Sequence, residues 1–428
     1  MTTLWCEHAW LPDGPADAVA IEVADGRITS LRPGAPRTGT VLPGVTLPGF
    51  ANAHSHAFHR ALRGHPSPDA RSFWSWRDDM YRVAEALDPD SYRRLATAVY
   101  TEMALAGYTS VTEFHYLHHG PGGRPYDDPN AMGHALVDAA AAAGIRLTLL
   151  DTCYLAGGID EPLSAVQRRF ADAHSDAWIE RVEPLLKLDD GDRVRLGAAV
   201  HSVRAVPEPE MSGVVEWAAG WPLHVHLSEQ PAENEACLAA YGRTPTALLD
   251  YAGVLGPDTV AVHATHLTTD DIDRLAASGT RVCLCPTTER DLGDGIGPAS
   301  QLHDAGVGLL LGSDSQAVVD PFEEARGMEM HERLAHRVRQ RFSPAQLLDA
   351  AADGASLTAG APADLVTVAL DSVRTAGIAP VGVLHAAGAA DVTDVMVGGR
   401  WVVRGRVHQG VDRPAAALAA EITALREA

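Results

Sequence analysis

Between about Thr46 and Asp349, short apolar runs alternate with longer alanine- and leucine-rich stretches, and nothing else in the 428-residue chain constrains its fold as tightly. The runs fall at 46–51, 110–114, 146–150, 195–200, 222–225, 259–262, 281–285 and 308–312. Each is too short for a typical helix and suits a strand, whereas intervening segments such as 91–106 have helical length and composition. Eight strands with helical connections is the number that closes a barrel. The pattern predicts an α/β fold, a TIM-like (β/α)8 barrel over residues 46–357.

The flanks read differently. Apolar runs at 18–23 and 28–31 are separated by Asp25-Gly26, a dipeptide suited to a tight hairpin. After Gly360, sheet signals return at 363–368, 392–397 and 401–403, with Gly398-Gly399 as a turn. Neither end has enough strands to bury its own core. Pairing residues 1–45 with 358–428 into one small β domain solves that problem.

Strand ends carry the chemistry. Pro48-Gly49-Phe50-Ala51-Asn52-Ala53-His54-Ser55-His56 closes the first run with two histidines two positions apart. On an extended strand such side chains point the same way and both can reach one ion. Standing alone, the pair is equally explained by ordinary hydrogen bonding. His226 with Glu229 closes the fifth run, His263 follows the sixth and Asp314 the eighth. Taken singly, His263 or Asp314 could be a core or capping residue. Together they converge on one rim, the face where barrel enzymes gather their catalytic groups.

Composition narrows the partners. A formal charge of −22 disfavours nucleic acid and anionic membrane. The chain has no apolar run of spanning length and no signal-peptide pattern at its start, which predicts a soluble, cytoplasmic protein acting on a small molecule. Five scattered cysteines form neither a disulfide framework nor a zinc-ribbon spacing, and Cys283 and Cys285 read as buried strand residues.

The ordered set of HxH, histidine, histidine and aspartate resembles the amidohydrolase superfamily over nearly the whole chain. The resemblance implies a divalent ion held by His54, His56, His226 and Asp314. Zinc is the expected ion, with iron(II) and manganese(II) as alternatives. Two-metal members bridge their ions through a lysine at the end of the fourth strand. Lys187, the one lysine in the chain, lies before that strand, so one ion per subunit is expected.

Glu229, three residues after His226, resembles the deaminating branch. Within it, the stretches 52–60, Phe73-Trp74-Ser75-Trp76-Arg77, His201-Ser202-Val203-Arg204 and 226–230 resemble the formimidoylglutamate deiminase family. That likeness implies hydrolysis of N-formimidoyl-L-glutamate to N-formyl-L-glutamate and ammonia in histidine degradation. Water activated by the ion would attack the formimino carbon, with Glu229, His263 and Asp314 as catalytic groups.

The anionic substrate would meet His59, Arg77, Tyr116, His201 and Arg204, and the assembly would be a homodimer. His59 departs from the family pattern, in which glutamine is expected. The passage from Gln340 to Pro362 is also shorter than expected. Two other functions remain open: an aminohydrolase of a purine, pterin or other heteroaromatic ring, and a non-catalytic barrel scaffold. Arginines favour a dicarboxylate over a ring, and an intact ligand set counts against a scaffold.

Overall fold

A computed structural model describes residues 1–64 and 73–427, with Phe73 and Trp74 described in backbone alone. The side chain of Trp74, expected beside Arg77, therefore lies outside the described residues. Two eight-stranded sheets organise the chain.

The first sheet joins both chain ends. Thr2–Leu11, Gly14–Ala24, Arg27–Arg32 and Thr40–Pro48 pair with Leu365–Val368, Val392–Val397, Arg400–Arg404 and Val407–His408. The junction is the antiparallel pairing of Thr40–Pro48 with Leu365–Val368. Asp25 and Gly26, at φ 50° and 76°, make the hairpin turn expected of them, as do Gly398 and Gly399 at 54° and 73°. Positive φ at both central positions matches the twist of the flanking strands. A separate apolar cluster containing Leu4, Ile21, Leu42 and Met396 fills this sheet's own core.

The second sheet is parallel and runs in strict sequence order: Phe50–Ser55, Tyr108–His115, Arg146–Cys153, Val194–Val200, Leu223–Leu227, Thr259–His263, Arg281–Leu284 and Leu309–Leu311. Every residue of Leu223–Leu227 and Thr259–His263 is buried, polar ones included. That pattern belongs to a sheet covered on both faces. The barrel closes where Asp314 N donates to His54 O at 3.0 Å and His56 N donates to Asp314 O at 3.1 Å.

Local signals set the helix ends. Pro89–Ala106 starts at Asp88, whose carboxylate accepts from Ser91 N while the Ser91 hydroxyl accepts from Asp88 N, and it stops at Gly107 with φ 106°.

Two expectations need correction. The run at 46–51 is not one strand: Thr46–Pro48 belongs to the terminal sheet, and the first barrel strand begins at Phe50. Residues 45–50 are all buried, so periodicity gives no mark where one sheet hands over to the other. The C-terminal segment also does more than add strands. It ends in a helix, Pro414–Glu427, which packs on Pro89–Ala106 and joins it through Arg94 Nε to Glu421 Oε1 at 2.8 Å. No helix of the described residues is long and apolar enough to cross a membrane.

Candidate active site at the barrel rim

His54 lies near the end of the first barrel strand and His56 just beyond it, with their Nε2 atoms 3.1 Å apart. The fifth strand brings His226 Nε2 to 3.2 Å from His54 Nε2. Asp314, past the eighth strand, sets Oδ1 at 3.3 Å from His54 Nε2 and 3.4 Å from His56 Nε2. The approach across the seam depends on Gly312, because a Cβ there would lie 2.7 Å from the His54 Cβ. Strain is concentrated here too: Ser228, His263 and Asp314 hold φ at 48°, 70° and 41° without being glycine.

The nest has the chemistry of a cation site. His56 Nδ1 lies 2.9 Å from Phe114 O and His226 Nδ1 3.0 Å from His201 O. A carbonyl only accepts, so these ring nitrogens carry the protons and each Nε2 presents a lone pair. Burial holds His54, His56 and His226 below the usual histidine range, which keeps them neutral. Burial would raise Asp314, but the imidazoles of His54, His263 and His56 hold it far below the ordinary carboxylate range. The lone pairs of His56 and His226, a third imidazole and a carboxylate converge at about 3 Å, and three imidazoles plus a carboxylate form a set that zinc accepts.

Glu229 and His263 stand beside the nest. His263 Nε2 is 3.7 Å from Glu229 Oε1 and 3.9 Å from Asp314 Oδ2. Burial alone would lower His263, yet Glu229, Glu289 and Asp314 pull it up to about 10. An imidazolium between two carboxylates can steady negative charge developing near them.

All five residues expected to meet substrate line one cavity of about 210 Å³ with His56, His226, Glu229, His263 and Asp314. His59 Nε2 is 2.8 Å from the Tyr116 hydroxyl, and burial lowers the His59 pKa to about 3. A neutral ring there keeps one donor and one acceptor, so it supplies polarity without charge. Arg77 lies over the Tyr81 ring, 5.5 Å from its centroid. Arg204 Nη2 is 3.4 Å from Glu229 Oε2, and its Nε is 2.9 Å from Glu233 Oε2, off the N–H axis.

Several residues at the site carried no recognisable motif. Glu233 ties Arg204 to the strained turn, accepting from Ser228 N at 3.0 Å; its one signal is its place four residues after Glu229. Tyr81, Tyr154 and Gln167 line the cavity from segments with no chemical signature. Cys285, read as a buried strand residue, lies just past its strand and is buried, yet it also stands within ligand distance of His263 and Asp314.

His115, His118 and His119 neither line the mouth nor face solvent: all are buried. His115 and His118 group with Asp151, but Arg181 and Trp178 take both Asp151 oxygens at 2.8–3.0 Å. A guanidinium in that position disfavours a second cation. Lys187 is exposed on the N-terminal side of the fourth strand, away from the rim.

A parallel barrel with a buried imidazole and carboxylate nest at its C-terminal rim defines a class, the metal-dependent barrel hydrolases. The chain belongs to the amidohydrolase family, whose model matches residues 45–402. Residues 1–40 match the N-terminal domain of formimidoylglutamate deiminase HutF. The chain is 38% identical to the formimidoylglutamate deiminase of Pseudomonas aeruginosa, with 98% of each chain covered. An amidohydrolase from Brucella melitensis, known from a crystal structure, superposes with a TM-score of 0.91 at 32% identity over 100% of both chains. A zinc-bound adenosine deaminase from Xanthomonas campestris shares the fold, with a TM-score of 0.86 at 24% identity over 99% of this chain and 97% of its own. The protein is thus a hydrolase acting on C–N bonds and a homologue of formimidoylglutamate deiminase.

Proposed function

We propose that the enzyme hydrolyses N-formimidoyl-L-glutamate to N-formyl-L-glutamate and ammonia. One observation carries the reading: a single cavity has a cation nest and Glu229 at one end and two arginines, Arg77 and Arg204, on its walls. An amidine with a dicarboxylate tail matches both. The 38% identity to a deiminase of that name supports the same substrate. A heteroaromatic ring offers the guanidinium groups no carboxylate to bind.

His54, His56, His226 and Asp314 would hold one divalent ion, zinc by the ligand set, iron(II) and manganese(II) being compatible with it. Such an ion supplies Lewis-acid activation of water near neutral pH. Glu229 takes a proton from the attacking water and delivers it to the imino nitrogen, which makes the formimino carbon electrophilic. His263, held as an imidazolium by Glu229, Glu289 and Asp314, faces the charge that develops when water adds. Asp314 Oδ2, on the His263 side of its carboxylate, takes the remaining proton from the hydroxyl of the adduct and passes it to the same nitrogen. Collapse then expels ammonia and leaves the formyl group.

His59, Tyr116 and His201 shape the neutral wall. Arg77 and Arg204 take the carboxylates, a local attraction that must outweigh the repulsion from a net charge of −22. A homodimeric, cytoplasmic enzyme belongs to the same proposal.

Purified enzyme incubated with N-formimidoyl-L-glutamate should yield N-formyl-L-glutamate and ammonia by mass spectrometry. Chelation should abolish the yield, and added zinc should restore it. Glutamate with formamide as products, or full activity in protein shown to be metal-free, would refute the proposal.

A further inference from the structure

The proposed chemistry leaves one cavity wall without a role. Tyr81, on the helix Phe73–Ala86, and Tyr154, which follows the strand Arg146–Cys153, both line it. Behind them sits Gln167, buried at 5% exposure. Its amide is fully engaged. Oε1 accepts from Ser164 N at 2.9 Å, while Nε2 donates to Gly157 O at 3.0 Å and to the Tyr154 hydroxyl at 2.8 Å.

Those partners fix a direction. A backbone N–H can only donate and a carbonyl can only accept, so the Gln167 amide cannot be flipped and Nε2 must be the donor to Tyr154. The Tyr154 oxygen is therefore approached by a proton from behind, and its own proton is turned forward into the cavity, whose wall it shares with Tyr81. That leaves Tyr154 one O–H to give.

The surroundings name the recipient. The Arg77 guanidinium covers the Tyr81 ring, and Arg77 and Arg204 line the same cavity as Tyr154. A spare O–H that shares a largely buried cavity with two guanidinium groups is a donor suited to an anion.

We infer that Gln167 and Tyr154 form a directional hydrogen-bonded pair that completes, with Arg77 and Arg204, the receptor for a substrate carboxylate. Tyr154 determines specificity, and Gln167 is a positioning residue that sets the polarity of the pair. The inference rests on the dicarboxylate substrate proposed above.

Polarity gives it a distinctive test. Tyr154→Phe keeps the ring and removes the hydroxyl. Gln167→Glu keeps the shape but replaces the donor by an acceptor, which draws the Tyr154 proton away from the cavity. Gln167→Met removes the donor without adding charge. Steady-state ammonia release from N-formimidoyl-L-glutamate should show KM about tenfold higher for Tyr154→Phe. The rise should be at least as large for Gln167→Glu and smaller for Gln167→Met. In all three, kcat and metal content should stay near those of the parent, while the two Gln167 variants, which lose the bond to Gly157 O, should melt lower.

Adding Gln167→Glu to Tyr154→Phe should raise KM no further, because Gln167 acts through a group already absent. With an active parent, KM within twofold for Tyr154→Phe and Gln167→Glu overturns the inference and leaves the proposed reaction standing. Additive effects in the double variant overturn the positioning role of Gln167. A parent that releases no ammonia from this substrate overturns the proposed function, and this inference with it.

Discussion

Replacing Arg204 with methionine should damage the fold as well as the substrate site. Arg204 faces two carboxylates, Glu229 at 3.4 Å and Glu233 at 2.9 Å, whose side chains are 8% and 0% exposed. At an effective dielectric constant near 20, unit charges this close attract by about 5 kcal/mol per pair before desolvation. A carboxylate that loses its partner can instead take up a proton. At pH 7 this costs about 4 kcal/mol for a glutamate that ordinarily titrates near 4.3, so the damage is capped. We expect a loss of about 3 kcal/mol, within the range for breaking a buried pair.

The sign of its pH dependence follows from Glu233. Burial raises the pKa of Glu233, and Arg204 is the group pulling it back down. Without Arg204 that pKa rises further, so the folded variant binds a proton that the unfolded chain releases above pH 4. Stability of the variant therefore falls as pH rises from about 4 to 7. Scanning calorimetry should show the variant melting several degrees below the parent at pH 7 and closer to it at pH 5. A second change, Glu233→Gln, should recover part of the loss. A wild-type melting temperature at both pH values, or a deficit that does not shrink at pH 5, would refute this account of Arg204.

Arg77 lies over the Tyr81 ring in the wall of the proposed substrate cavity. Arg77→Met should therefore weaken substrate affinity by about 2 kcal/mol, roughly thirtyfold in KM, while the melting temperature and metal content stay put. An unchanged KM would remove Arg77 from the substrate site. Burial would raise the pKa of Asp172, but the His119 hydrogen bond and the charge of Arg181 lower it from 3.8 to about 2. That carboxylate contributes about 2 kcal/mol of stability, fully present above pH 4 and lost as pH falls through 2. Urea midpoints for Asp172→Asn should be lower than those of the parent at pH 4.5 and should fall less between pH 4.5 and 2.5. An equal fall in both proteins would contradict it.

Strand ends were the legible part of the site because chemistry and spacing coincide there. His54 and His56 alternate on one strand, and His226, Glu229, His263 and Asp314 follow runs whose apolar character marks them as barrel strands. Arg77 and Arg204 were legible by family resemblance, through the segments around them. Glu233, Tyr154 and Gln167 were not, since each acts through a partner distant in sequence or through the orientation of an amide, which no local pattern encodes. The handover at Pro48 to Phe50 escaped for a related reason: two adjoining buried strands read as one apolar run.

His54 and Asp314 meet where the first and last staves of the cylinder are joined, and Asn52 Nδ2 donates to the Ser313 hydroxyl at 2.7 Å beside them. During synthesis the earliest ligands emerge long before Asp314, so the nest can be completed only when the final stave docks. An ion seated there would bind the joined form and not the open one, fastening the circle at its point of closure.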